Sequence, residues 1–245
     1  MKNKSFLSLL MIIFCVISIV GCSQKKPKVK VEHQQLTWHE AREKPFGTFD
    51  YPKVTEKEGL DLLKNKFNVK VPKLIQQVKE LLKDEVAVEG MLLGDPEYTL
   101  YATGDELKAR AYYPLNEGTE LIVFVLVDLK YTFNKEKKEA RLLSQSLSMT
   151  TYGEKTTYPK DNFEELLASS GKIIDLPTKL ADRSIQNFIV DNEKVDKRPT
   201  ASKSIVYSND KEAVEKKLVS QTLLGGFDSQ RELKEIYAMV VDYTE

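Results

Sequence analysis

The chain has 245 residues, with 37 basic and 37 acidic side chains, two cysteines and two histidines. Charges so evenly balanced make no electrostatic case for a nucleic-acid partner, which would need a dominant basic face. Both cysteines, Cys15 and Cys22, lie near the amino terminus. The body of the chain therefore has no thiol for a disulfide, a CxxC redox site, a zinc cluster or a nucleophile.

Lys2 and Lys4 precede an apolar run from Phe6 to Val20, which ends at Gly21-Cys22. A positive start, a short apolar stretch and small residues at a cleavage point form a secretory signal. The run is about 15 residues, short of the roughly 20 that cross a bilayer as a helix. An uncleaved anchor helix is the alternative. Ile19-Val20-Gly21-Cys22 resembles the bacterial lipobox: a branched aliphatic residue, a tolerated position, a small residue and the obligatory cysteine. The resemblance implies cleavage after Gly21, a diacylglyceryl thioether on Cys22, and a location on the extracytoplasmic face of the cell membrane. Two acyl chains hold stably where one is marginal. Abundant lysine and scarce arginine suit a low-GC Gram-positive source. The regions expected are a signal at 1–21, a lipidated tether at 22–36, an α+β domain at 37–171 and a helix-rich region at 172–245, either a second domain or part of the first. Lys25, Lys26, Lys28 and Lys30 put four positive charges beside the lipid, where they are expected either to be attracted by anionic headgroups or to serve as a solvated spacer, and both roles are compatible.

From Thr37 to Pro52, Trp38, Phe46, Phe49 and Tyr51 crowd among prolines and charges. A strap whose aromatics pack back on the domain is expected, with an exposed partner-binding segment as the alternative. Thr55-Glu56-Lys57-Glu58 opens a helix in capping-box form. A second helix starts near Pro72, with Leu74, Ile75, Val78, Leu81 and Leu82 as its apolar stripe, and runs to about Asp84.

The period then changes to two. Val86–Leu93, Tyr98–Thr103 and Leu107–Tyr113 read as strands, with a turn at Thr103-Gly104-Asp105-Glu106. Leu107, Ala109, Ala111 and Tyr113 point one way, and Lys108, Arg110 and Tyr112 the other. Leu121–Phe133 is the strongest strand and apolar on both faces in its first half, so it is placed centrally. Leu142–Tyr152 is expected to return as a further strand, with a helix as the competing reading because Leu142, Leu143 and Met149 fit neither period cleanly.

The final third reads as helix-rich. Asp161–Ser169 is predicted to form a helix closed by Gly171, with a short strand at Ile173-Ile174. Lys179–Val190 is ambiguous, and Glu193–Lys203 is a loop. Asp210–Ser220 is predicted helical, and Gly225-Gly226 reads as a helix stop. Ser229-x-x-Glu232 is predicted to cap a last helix with Leu233, Ile236, Tyr237, Val240 and Val241 on one face. The fold class expected is α+β, an antiparallel meander sheet covered by helices with a helix-rich C-terminal third.

Chemistry is sparse. His33 and His39, with Glu40 beside the latter, have ligand chemistry but lie in or beside the tether, so a solvated pair is expected and no metal. No GxSxG or phosphate-loop spacing occurs. The acid pairs Asp95/Glu97, Asp105/Glu106 and Glu164/Glu165 have the residue types of a glycosidase, yet adjacent surface acids are ordinarily solvated. Trp38, Tyr98 and Tyr112 are the candidate binding surface; Tyr98 and Tyr112 fall on neighbouring strands, where cross-strand packing is the role expected first and a recognition patch the alternative. The leading expectation is a non-enzymatic binding or accessory module of the cell envelope, without cofactor. Its partners would be membrane lipid through acylated Cys22 and an envelope protein or cell-wall component. The alternatives are a carboxylate-dependent cell-wall hydrolase and a solute-binding lipoprotein.

Overall fold

A computed structural model describes residues 35–153 and 158–244. The leader, Gly21, Cys22, His33 and most of the tether lie outside the described residues. Among the described residues no helix is long and apolar enough to cross a membrane.

Alternation builds the sheet. On β5 (Glu106–Glu117) and β6 (Glu120–Asn134), Leu107, Ala109, Ala111 and Tyr113 pair with Tyr131, Leu129, Val127 and Val125, and all eight are buried. Strand side chains alternate between faces, so one buried row fixes the register of the pair. β4 (Glu97–Gly104) and β2 (Gly47–Thr55) extend the sheet on one side, and β7 (Glu139–Thr151) on the other. Beyond β7 come β10 (Leu233–Asp242), β9 (Val219–Phe227) and β8 (Lys203–Ser208), all antiparallel. Two short strands share lanes with longer ones. β3 (Met91–Leu93) pairs the end of β5 that β4 leaves free, and β1 (His39–Ala41) pairs the end of β7 beyond β10.

Four helices cover one face. Thr55 and Glu58 cap α1 (Glu56–Asp61) reciprocally, as the capping-box spacing requires. Leu74, Ile75 and Val78 of α2 (Leu74–Glu80) are buried, and the π-type turn that follows adds Leu81 and Leu82. Tyr131 donates to Lys70 O on the connection between α1 and α2, and Trp38 packs edge-on against its ring. Over β9 and β10 lie α3 (Phe163–Ile173) and α4 (Thr178–Asp191). Gln221 of β9 donates to Ile174 O after α3, while Phe188 of α4 meets Phe227. The short α5 (Asp210–Lys216) joins β8 to β9.

The helix-rich C-terminal third is overturned. Three of the ten strands, β8, β9 and β10, occupy it, and the described residues are mostly antiparallel sheet. Leu233–Val241 misleads because it is apolar on both strand faces. Ile236, Ala238 and Val240 are buried while Tyr237, Met239 and Val241 are half-buried, and such a doubly apolar run also supplies a helical stripe. Ser229 and Glu232 form a turn instead of a cap, with Asp228 Oδ1 accepting from the amides of Gln230 and Glu232. Gly225 and Gly226 lie inside β9. The strand expected at Ile173-Ile174 is the end of α3, Lys179–Val190 is α4, and α5 stops at Lys216. Val86 closes the helical turn after α2, leaving only Met91–Leu93 extended before β4.

Candidate functional site

The sheet face opposite the helices is open, and its strand register draws one continuous line across it. Ile205 of β8 pairs with Leu224 of β9, Leu224 with Tyr237 of β10, and Tyr237 with Ser148 of β7. Ser148 pairs with Leu126 of β6, and Leu126 with Tyr112 of β5. Every member is half-buried or exposed, Ile205 reaching 67%. At about 4.8 Å between neighbouring strands, six strands carry the line roughly 24 Å.

Its walls and floor differ in chemistry. Ser144, Ser146, Ser148 and Thr150 alternate along β7 and lay a strip of small hydroxyls, flanked on β6 by Lys130, Asp128, Leu126 and Phe124 and on β10 by Val241, Met239, Tyr237 and Glu235. On one side the Tyr112 and Phe124 rings lie 5.9 Å apart, near Tyr152, which is 56% exposed. Burial first, and then the charge of Glu97, push the Tyr112 phenol above its ordinary value, so it stays a neutral donor at physiological pH. On the other side Lys203 Nζ sits 4.6 Å from the Tyr237 ring centroid and pairs with Glu235 at 2.6 Å. Glu235 also accepts from Ser148 Oγ at 2.6 Å, which ties the hydroxyl floor to the charged rim. Such a surface offers apolar contact, ring faces and hydroxyls.

A second cluster sits where β1 and β10 meet in one lane. His39 Nδ1 lies 2.6 Å from Glu139 Oε1, and His39 Nε2 lies 2.7 Å from Asp242 Oδ2. The imidazole is 10% exposed and the Asp242 carboxylate 1%. The hydrogen bond to Asp242 raises the His39 pKa above its ordinary value against the opposing effect of burial, with the bond to Glu139 adding to the rise. Burial pushes Asp242 the other way, but hydrogen bonds from His39 and Thr244 bring it below the usual carboxylate range. With a carboxylate on each ring nitrogen, the protonated ring donates twice and keeps no lone pair for a base or a metal. Among the described residues no cluster of His, Cys, Asp and Glu is arranged to hold a metal ion. The solvated His39 expected from the sequence is thus a half-buried bridge to a buried carboxylate.

The candidate surface residues do not come together. Tyr98 is buried on the helix-covered face, its hydroxyl 2.5 Å from that of Tyr113, whereas Tyr112 lies on the open face. Trp38 is half-buried against Tyr131. The acid pairs are scattered at the surface. Glu97 pairs with Lys53, Asp105 with Lys135 and Glu106 with Lys130, while Glu164 accepts from Gln186. A groove of about 500 Å³ between α4 and β8, lined by Ser184, Asn187, Asp191, Lys197 and Ser204, holds a single acid. Sequence reasoning missed Glu139 and Asp242, which are 100 and 203 residues from His39. It also missed Ile205, Leu224 and Tyr237, concealed in a third read as helical.

No family model, curated protein or solved structure matches this chain.

Proposed function

We propose that this protein is a binding module of the cell envelope, lipid-anchored through Cys22 on the extracytoplasmic face of the membrane, with the open sheet face as its recognition surface. The observation that carries the reading is the in-register line from Ile205 to Tyr112. Helices bury one side of the sheet, while the other keeps apolar and aromatic side chains in contact with water. Apolar and aromatic side chains left half-exposed in a row on a sheet face, with none of the described helices over them, are the kind of surface that a partner covers. Ring faces beside small hydroxyls suit noncovalent recognition with little side-chain entropy to lose.

The test places a photo-crosslinking residue in the full chain in intact cells, at Tyr112 or Leu126 on the open face and at Gln186 on the helix layer. A discrete adduct to one envelope component from the first two positions, absent at Gln186, is the expected result. Equal capture from both faces, or none from the open one, overturns the assignment of that face. The anchor is tested separately: a fatty-acid probe labels the wild type and not Cys22→Ala, and a wild-type chain left untagged overturns it.

A further inference from the structure

From Leu62 to Lys79 the chain contains five lysines and no acid. Lys79 is paired with Glu56. Lys64, Lys66, Lys70 and Lys73 are all exposed, and among the described residues none of them has an ion-pair partner. The fold explains why they stay outside. Phe67, Val69, Pro72 and Leu74 turn inward at the intervening positions, so the lysines between them are forced to the surface.

Aromatic rings adjoin this charge. Lys66 Nζ sits 3.6 Å from the centroid of Phe49, which is 37% exposed and stacks on Tyr51, while the same amine donates to the Tyr51 hydroxyl. At the other end of the segment Lys73 Nζ donates to Gln35 Oε1 at 2.9 Å. Gln35 lies at the end of the expected tether, so this contact brings the tether's end beside these lysines. Asp175 lines the small cleft next to Lys73 and is the acid that faces it. The sequence between Cys22 and Gln35 adds Lys25, Lys26, Lys28 and Lys30. Fully extended, a linker of that length spans at most about 45 Å, so a domain anchored at Cys22 never leaves the neighbourhood of the headgroups.

We infer that the Lys64–Lys73 segment, with Phe49 and Tyr51, is a docking surface for anionic phospholipid headgroups, which lays the tethered domain down with this end on the bilayer. The inference rests on the lipid-anchor reading of Cys22. Unpaired lysines are attracted to anionic lipid over a distance of about a Debye length, and rings at headgroup level add an amphipathic contact. This end of the domain combines both with the tether's point of entry. Docking here leaves the open face of the sheet available to its partner.

The experiment reconstitutes the full chain, as extracted from the membranes of cells that express it, into vesicles of phosphatidylcholine alone or mixed with phosphatidylglycerol. Flotation is scored, and then the rate of amine labelling at each lysine by mass spectrometry, with the ion-paired Lys57 and the open-face Lys108 as references. The expected result is flotation with both vesicles and labelling of Lys64, Lys66, Lys70 and Lys73 slowed about fivefold on the anionic ones, since each lysine near the surface gains about 1 kcal/mol. Added salt restores the rates, and Lys57 and Lys108 label alike throughout. In the variant K70Q/K73Q the shielding of Lys64 and Lys66 is expected to fall. Flotation with both vesicles but equal labelling of the four lysines overturns the docking surface alone. Flotation with anionic vesicles only supports the docking surface and overturns the anchor. Flotation with neither overturns both.

Discussion

The imidazole of His39 and the carboxylate of Asp242 are 203 residues apart in sequence and 2.7 Å apart in space. They meet because β1 and β10 occupy the same lane beside β7, β10 pairing Glu235–Val241 with Thr150–Ser144 and β1 pairing His39–Ala41 with Arg141–Glu139. No backbone ladder joins the two collinear strands. The side-chain bridge does, and it locks the first strand of the domain, just after the tether, to the last.

His39→Gln is therefore expected to destabilise the domain by about 2 kcal/mol near pH 5.5, because it removes the charged donor of a half-buried network and leaves the buried Asp242 carboxylate, among the described residues, with only its bonds from Thr244 and no cation. The pH dependence has a definite sign. The folded His39 pKa is raised above 6.5, so its contribution is complete below 6.5 and is lost as pH rises through the folded value. The folded Asp242 pKa is depressed below 3.8, so its contribution is present above 3.8 and is lost as pH falls through the folded value. The bridge is thus strongest between these two unfolded-state values. Urea midpoints of wild type and His39→Gln should lie far apart at about pH 5.5 and approach one another by about pH 9. A gap that widens on the alkaline side would show that the neutral ring, and not the imidazolium, holds the bridge.

Gly225 is the second test. It lies inside β9 on the helix-covered face, and a Cβ there would run into the Phe188 ring of α4. Glycine is thus the residue that lets α4 approach the sheet, and its weak strand propensity is the cost of that contact. Gly225→Ala is expected to lower stability by about 1–3 kcal/mol through overpacking, measured by urea titration. Phe188→Leu in the same chain should recover part of the loss. If Gly225→Ala is neutral on its own, Phe188 has room to move and the close approach is not what selects glycine.

How much of this was legible beforehand depends on where the period was clean. β5 and β6 were readable because polar and apolar side chains alternate along β5 and the odd positions of β6 are continuously apolar, and α1 because Thr55 and Glu58 stand at capping-box spacing. The last third was not. β10 is apolar on both faces, so it satisfies a period of 3.6 as well as one of 2, and Gly225 and Gly226 look like stops when their cause is a phenylalanine on α4 and a glutamate on β10. The His39 bridge had no local signal at all, since neither carboxylate lies within 99 residues of it along the chain, being 100 and 203 away. Tyr98 and Tyr112 read from the sequence as tyrosines on neighbouring strands, but their faces differ: Tyr98 pairs with Ala111 and therefore shares its inward row, while Tyr112 pairs with Glu97 and points out.

The tyrosines beneath α1 provide the third test. Tyr98 and Tyr113 are almost wholly buried, their hydroxyls 2.5 Å apart and their rings edge-on at 6.3 Å, with Glu56 close by and held by Lys79. Burial raises both phenols well above their ordinary values, so the pair is neutral throughout the stable pH range. Tyr98→Phe strands the Tyr113 hydroxyl without its neighbour and is expected to cost about 1–2 kcal/mol, as is Tyr113→Phe in the opposite sense. The double variant removes donor and acceptor together while keeping both rings, so it should cost clearly less than the sum of the singles. Four urea titrations close the cycle. Strict additivity would mean that the two hydroxyls find separate partners, with Glu56 the first to examine; a coupling of about 1 kcal/mol or more identifies them as one buried unit that fixes α1 to the sheet.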